Sequence, residues 1–164
     1  MKISRPIVLI SMILGLVPFQ LNVANAAPKI SGVIGSVVAD GDMAVQVKAL
    51  KCGVKTIGSG FEQETALGQF CIVTFALSAA KKKPVNYFSD SQKGLTKAGF
   101  TVAPKSMLSD EFPMTLDLNP GNAVLIKIAY DVGKKDPLKA IEFHDSMFSG
   151  GVVVDLTKTL SKKK

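Results

Sequence analysis

The stretch Gln69–Ala79, QFCIVTFALSA, carries apolar side chains on both of its alternating faces. Successive side chains of a strand point to opposite sides. Cys71, Val73, Phe75 and Leu77 therefore share one face, and Phe70, Ile72, Thr74 and Ala76 the other. Such a strand belongs in the middle of a sheet, covered on both sides. The same period of two recurs along the chain. Met43, Val45, Val47 and Ala49 alternate with Ala44, Gln46 and Lys48. In Asn122–Val132, the residues Val124, Ile126, Ile128, Tyr130 and Val132 oppose Ala123, Leu125, Lys127, Ala129 and Asp131. Val85–Phe88 and Leu138–His144 read as shorter strands, and Val152, Val154 and Leu156 as the inner face of a last one. No segment keeps a helical stripe over several turns.

Turn signals separate these runs. Lys81-Lys82-Lys83-Pro84 ends the central strand, as charged turns and proline do at exposed edges. Ser91–Ser109 is turn-rich, with Gly94, Gly99 and Pro104. Met114–Leu118 and Asn122–Val132 flank Asn119-Pro120-Gly121, which predicts a hairpin closed by a type II turn, since Gly takes the positive φ at its third position. About seven to nine short strands punctuated in this way predict an all-β chain, an immunoglobulin-like antiparallel β-sandwich.

The first residues have another character. Lys2 and Arg5 precede the apolar run Ile7–Val17, and Ala24-Asn25-Ala26 forms a small-x-small cleavage box before Ala27. This is the layout of a secretory signal peptide cut between Ala26 and Ala27. The run falls short of the roughly 20 apolar residues that span a bilayer. The expected organisation is a signal peptide over 1–26, a lead-in over 27–37, the sandwich over 38–158 and a disordered basic tail over 159–164. The mature protein is then secreted or held in the cell envelope, without stable membrane insertion. An uncleaved anchor is the other reading. The first cysteine is Cys52, so lipid attachment at the box is excluded.

Cleavage removes Lys2 and Arg5 and no acid, which takes the net charge from +7 to +5. It also removes the only arginine, and the chain has no tryptophan. Arginine is the usual bidentate reader of bases and phosphates, so nucleic acid is excluded as a partner. The residual positive charge suits solubility and a weak attraction to anionic surface components.

Cys52 and Cys71 are the only cysteines, 19 residues apart. In an oxidising compartment an even count favours a disulfide. It would close a polar, glycine-rich loop between two strands. Free or intermolecular thiols are a further reading. A structural zinc site needs about four Cys or His ligands, and the chain adds only His144. A redox pair more often has Cys-x-x-Cys spacing.

The remaining candidates favour structure over chemistry. His144 has Asp145 beside it, but neighbours on a strand face opposite ways. Asp40-Gly41-Asp42 fails the calcium-loop pattern, with Ala44 and Lys51 where ligands five and twelve belong. Asp110-Glu111 lacks any sign of a desolvated site, and Gly58-Ser59-Gly60 completes no phosphate-binding motif. No catalytic, cofactor or metal residues are predicted. Lys81, Lys82 and Lys83 are a turn that could serve as an interaction patch.

The segments KCGV, GQFCIVTFAL, SDSQKGL, LNPGNAVLIKIAYDV and IEFHDSMFSGGVVVDL together resemble a family of secreted bacterial telokin-like, immunoglobulin-like domains of unknown function. That family looks related to a secreted mycobacterial immunogenic antigen. The resemblance runs from about Val38 to Leu156. It implies an extracytoplasmic antiparallel sandwich with the two cysteines bridged, and no known catalytic activity. The expected role is a non-enzymatic interaction domain whose partner is a protein or an anionic envelope component. The alternative is a carrier holding a small apolar ligand between its sheets; a wall hydrolase using His144 is a weaker third.

Overall fold

The computed structural model describes residues 29–105 and 111–161. Eleven strands run through them: β1 (Ile30–Ile34), β2 (Val37–Asp40), β3 (Met43–Ile57), β4 (Glu64–Ala79), β5 (Val85–Phe88), β6 (Lys93–Thr96), β7 (Thr101–Val102), β8 (Thr115–Leu118), β9 (Ala123–Val132), β10 (Leu138–Phe143) and β11 (Val152–Thr159). One sheet has the order β1-β11-β10-β6-β7, a second β2-β3-β4-β9, and a third pairs β5 with β8. Every pairing is antiparallel except β1 with β11.

The predicted all-β sandwich is present, with more strands than the seven to nine expected. The extra ones lie where the sequence offers little alternation. β1 occupies the expected lead-in, and β6 and β7 lie inside the turn-rich stretch. Gly94 explains β6. A Cβ there would stand 2.8 Å from Leu138 Cδ1 and from the Tyr130 ring. The glycine lets the sheet close onto its core.

β4 is central, between β3 and β9, as its two-faced pattern requires. Cys71, Val73, Phe75 and Leu77 are fully buried against Leu138, Ile141, Phe143, Val154 and Leu156 of the facing sheet and Val85, Tyr87 and Leu118 of the small one. Phe75 meets Phe143 edge-on, with ring centroids 4.9 Å apart. Such edge contacts add to the area burial that holds two sheets together. The outer face of β4 contributes Phe70 and Ile72 to a smaller cluster with Ile57, Phe112 and Ala129.

Three expectations are corrected. Ala49 does not share the face of Met43, Val45 and Val47. The register slips between Val47 and Ala49, so Leu50 turns inward opposite Val73 and Ala49 turns outward. A β-bulge adds one residue and inverts the phase of the strand beyond it. Second, β8 and β9 are not a hairpin: β8 pairs with β5 and β9 with β4. The turn exists, with Asn122 N donating to Asn119 O at 3.2 Å and Gly121 at φ 85°, but it carries the chain between sheets. Third, Gly53–Gly68 is mostly strand. β3 and β4 continue past the cysteines, and only 58–63 connects them.

Candidate functional site

The strand directions sort the loops onto two ends. At one end lie the β2–β3 turn, the β4–β5 connection with Lys81–Lys83, the Asn119–Gly121 turn and the β10–β11 loop. At the other lie residues 58–63, the β6–β7 turn, the β9–β10 turn and the end of β11.

Cys52 and Cys71 are bonded to one another, with Cα atoms 4.0 Å apart. The bond lies across neighbouring strands, at a slip in register between Lys51 and Val54 where Gly53 takes φ 85°. Contrary to the expectation from sequence, it does not close a surface loop; it ties two strands near the place where they leave the sandwich. β9 ends opposite Gln69, so residues 54–57 and 64–68 extend beyond it as a two-stranded arm. The Asp131 carboxylate holds the arm's return strand, accepting from Leu67 N at 2.8 Å and Gly68 N at 3.1 Å. Gly68 permits the approach, because a Cβ there would lie 2.2 Å from Val132 O. Gly58-Ser59-Gly60 forms the tip, with both glycines at positive φ.

The arm exposes what a core normally takes in. Phe61 and Leu67 are fully exposed, and Phe100 and Leu160 at the same end are 67% and 60% exposed. Lys55 projects from β3 against Lys134. The ammonium of Lys55 is lowered from its ordinary range, mostly by the hydrogen bond with the Lys134 side chain and then by repulsion from it. Beside the arm, Leu67, Val102, Pro104, Asp131 and Val132 line an open cleft of about 600 Å³. A second, of about 460 Å³, lies on the outer face of the four-stranded sheet beneath Phe112 and the Glu111–Lys127 ion pair.

Lys81, Lys82 and Lys83 are exposed in a turn at the opposite end. Their surroundings include acids. Lys81 pairs with Asp42 at 3.3 Å, Asp42 N donates to Asp145 Oδ2 at 3.1 Å, and Asp145 N donates to Asp40 Oδ2 at 2.9 Å. Asp40-Gly41-Asp42 is thus a turn docked on the β10–β11 loop. No group of three or more metal-ligating side chains occurs among the described residues. Met147 and Phe148 are the exposed apolar side chains of that loop, at 82% and 93%.

His144 is buried at the base of the same loop. Its Nδ1 lies 3.3 Å from Ser149 Oγ, and its Nε2 3.3 Å from Glu142 Oε1. Sequence reasoning considers only Asp145 beside His144 and misses both partners. Glu142 is legible in principle, since residues i and i+2 share a strand face. Serine and carboxylate flank the imidazole in the order of a proton relay, but Nε2 is buried without a hydrogen-bond partner among the described residues. Ser149 Oγ also donates to Ser146 O at 2.9 Å, closing the loop, and Gly151 presses on the ring, where a Cβ would stand 2.6 Å from Cε1. Neither cleft is lined by these residues. Gln92, which the sequence does not single out, clamps His144 from beneath. Its buried amide accepts from His144 N at 2.8 Å and donates to His144 O at 3.1 Å and Phe88 O at 2.8 Å.

Among the other candidates, Glu111 is engaged by Lys127. Asp110, the cleavage pair Ala26 and Ala27, and Lys162–Lys164 lie outside the described residues. No helix among the described residues is long and apolar enough to cross a membrane.

A family model described as a domain of unknown function matches residues 32–154. The chain belongs to the DUF4352 family. Among solved structures, the YjhA protein of Bacillus subtilis aligns with a TM-score of 0.59 at 14% identity, over 76% of this chain and 99% of its own. MPT63, a secreted protein of Mycobacterium tuberculosis, aligns with a TM-score of 0.59 at 14% identity, over 79% and 99%. An uncharacterized β-sandwich protein of Clostridium difficile aligns with a TM-score of 0.50 at 12% identity, over 79% and 96%. No curated protein matches the sequence. The DUF4352 match and the mycobacterial neighbour bear out the family resemblance; at these identities the structural neighbours share the fold.

Proposed function

We propose that this DUF4352 chain is an extracytoplasmic, non-enzymatic interaction domain that contacts the cell envelope through the arm end of its sandwich. The observation that carries the reading is the placement of apolar surface. The space between the sheets is occupied by closely packed buried side chains, while Phe61 and Leu67 stand in solvent on a disulfide-clamped arm. Exposed apolar groups gathered at one place mark contact surfaces. A rigid scaffold presenting loops is the usual arrangement for binding. The filled core gives little support to a carrier with its ligand between the sheets. Export is supported by the leader of the sequence, by the disulfide and by the secreted neighbour.

The test is photo-crosslinking on intact cells, with a photoreactive residue replacing Phe61 in one variant and Phe148 in another. Envelope adducts from position 61 that are absent from position 148 are expected. Adducts from position 148 alone would move the contact to the Lys81–Lys83 end.

A further inference from the structure

We infer that the partner of the arm end is an anionic lipid bilayer, on which the domain docks peripherally. The inference rests on the contact reading above and names its chemistry. Four large apolar side chains, Phe61, Leu67, Phe100 and Leu160, are exposed at this end. They come from three separate segments, the arm, the β6–β7 turn and the end of β11, which the topology brings to one end of the molecule. A protein surface that enters the headgroup region combines such apolar tips with lysines around them.

The cations here are arranged as an anion would require. Lys55 and Lys134 are exposed neighbours whose charges repel, and neither forms an ion pair among the described residues. Lys135 continues from Lys134, and Lys97 is tied to the same end by its N–H to Pro137 O at 3.0 Å. The acids of this end are largely committed within the fold. Asp131 holds the arm, Asp136 accepts from Ala98 N at 2.7 Å, and Glu64 pairs with Lys105 at 3.4 Å. Glu62, at the tip, is the exception. The opposite end also exposes Met147 and Phe148, but there Lys81 is paired with Asp42, in a turn that Asp40, Asp42 and Asp145 hold together.

A polyanion would need the lysines and not the apolar tips. A protein groove would take the tips without favouring lysines beside lysines. An anionic bilayer uses both, since each lysine near its surface strengthens binding about fivefold and each buried apolar side chain adds about tenfold or more.

The experiment is co-sedimentation of the mature protein with phosphatidylglycerol-containing vesicles and with phosphatidylcholine vesicles, at low ionic strength and in high salt. Binding to the anionic vesicles alone, weakened by salt, is expected. Phe61→Ser with Leu67→Ser should weaken it about a hundredfold, and Lys55→Gln with Lys134→Gln about thirtyfold. Lys82→Gln with Lys83→Gln should leave it unchanged. The substituted side chains lie on the surface, and an unaltered thermal transition verifies the fold of each variant. Binding that survives loss of Phe61 and Leu67 but not of the lysines would describe an adsorbed polyanion contact and overturn the bilayer. Absence of vesicle binding alongside crosslinks from position 61 in cells would overturn this inference and leave the contact reading standing; absence of both would remove both.

Discussion

Replacing Gln92 with alanine tests whether the His144 region is scaffold. The Gln92 side chain is fully buried and bonds only backbone: Nε2 to Phe88 O and His144 O, and Oε1 from His144 N, over 2.8–3.1 Å. Alanine removes all three bonds. Each contributes about 1 kcal/mol net, and the buried His144 N–H is left without a partner. The vacated side-chain volume adds about 1 kcal/mol. The expected loss is about 4 kcal/mol, a large part of the stability of a typical domain. With a urea slope of about 2 kcal/mol/M, the unfolding midpoint falls by about 2 M. Gln92→Leu refills the volume and restores none of the bonds, so it should still cost about 3 kcal/mol. Equilibrium urea unfolding monitored by far-UV circular dichroism measures both. A cost below about 1 kcal/mol for alanine, or a leucine variant as stable as the parent, would refute the reasoning, because packing and not hydrogen bonding would then explain the residue.

The disulfide, the two buried phenols and Asp155 each give a further expected outcome. Removing the cross-strand bond with Cys52→Ala and Cys71→Ala should cost about 3 kcal/mol by the chain-entropy relation for a separation of 19 residues, and the parent should show no titratable thiol when denatured without reductant; two thiols, or an unchanged midpoint, would contradict it. Tyr87 Oη is buried with no hydrogen-bond partner among the described residues, and burial pushes its phenol far above the ordinary range, so Tyr87→Phe should leave stability unchanged or raise it by about 1 kcal/mol; Tyr130→Phe, which loses a bond to Gln92 O at 3.3 Å, should cost up to about 1 kcal/mol, and thermal melts showing the reverse order would overturn this. Asp155 is held below its ordinary value chiefly by the Thr157 hydroxyl, which donates to it at 2.6 Å; a depressed carboxylate contributes stability above its unfolded value near 3.9 and loses it as the pH falls through the folded value, so Thr157→Val should cost about 1 kcal/mol at neutral pH and less near pH 2, and an equal cost at both would contradict the assignment.

Much of the fold is legible in the sequence because burial leaves a period of two. β4, β9 and β11 bury one face against the other sheet, and their inward residues are the ones the alternation marks. The pattern fails where burial stops dictating residue type. β6 and β7 are short, and Gly94 sits where a side chain would collide, so nothing apolar records the contact. Alternation cannot announce a bulge: the slip after Val47 moves Ala49 to the outer face. The arm's strands carry Lys55, Thr56 and Glu64, which read as loop because most of the arm lies beyond the main core, with Ile57 packed on the outer cluster. Pro120-Gly121 fixes a turn and says nothing of which sheet receives the next strand.

The candidate site is legible only in pieces. The cysteines are evident as a pair, but their place across two strands depends on register. Lys81–Lys83 draw attention because three lysines in a row are conspicuous. The cations of the arm end come from segments far apart in sequence, and their meeting depends on long-range pairing. Phe61 and Leu67 look like ordinary core residues until the fold leaves them outside.

The chain has no tryptophan, so Phe61→Trp and Phe148→Trp each place a single fluorescent reporter at one end of the sandwich. Emission of both variants, recorded as isolated cell envelopes are added, tests the location of the contact directly. The account predicts a blue shift for the reporter at position 61 and none at position 148. A shift at position 148 alone, or at neither position, would contradict it.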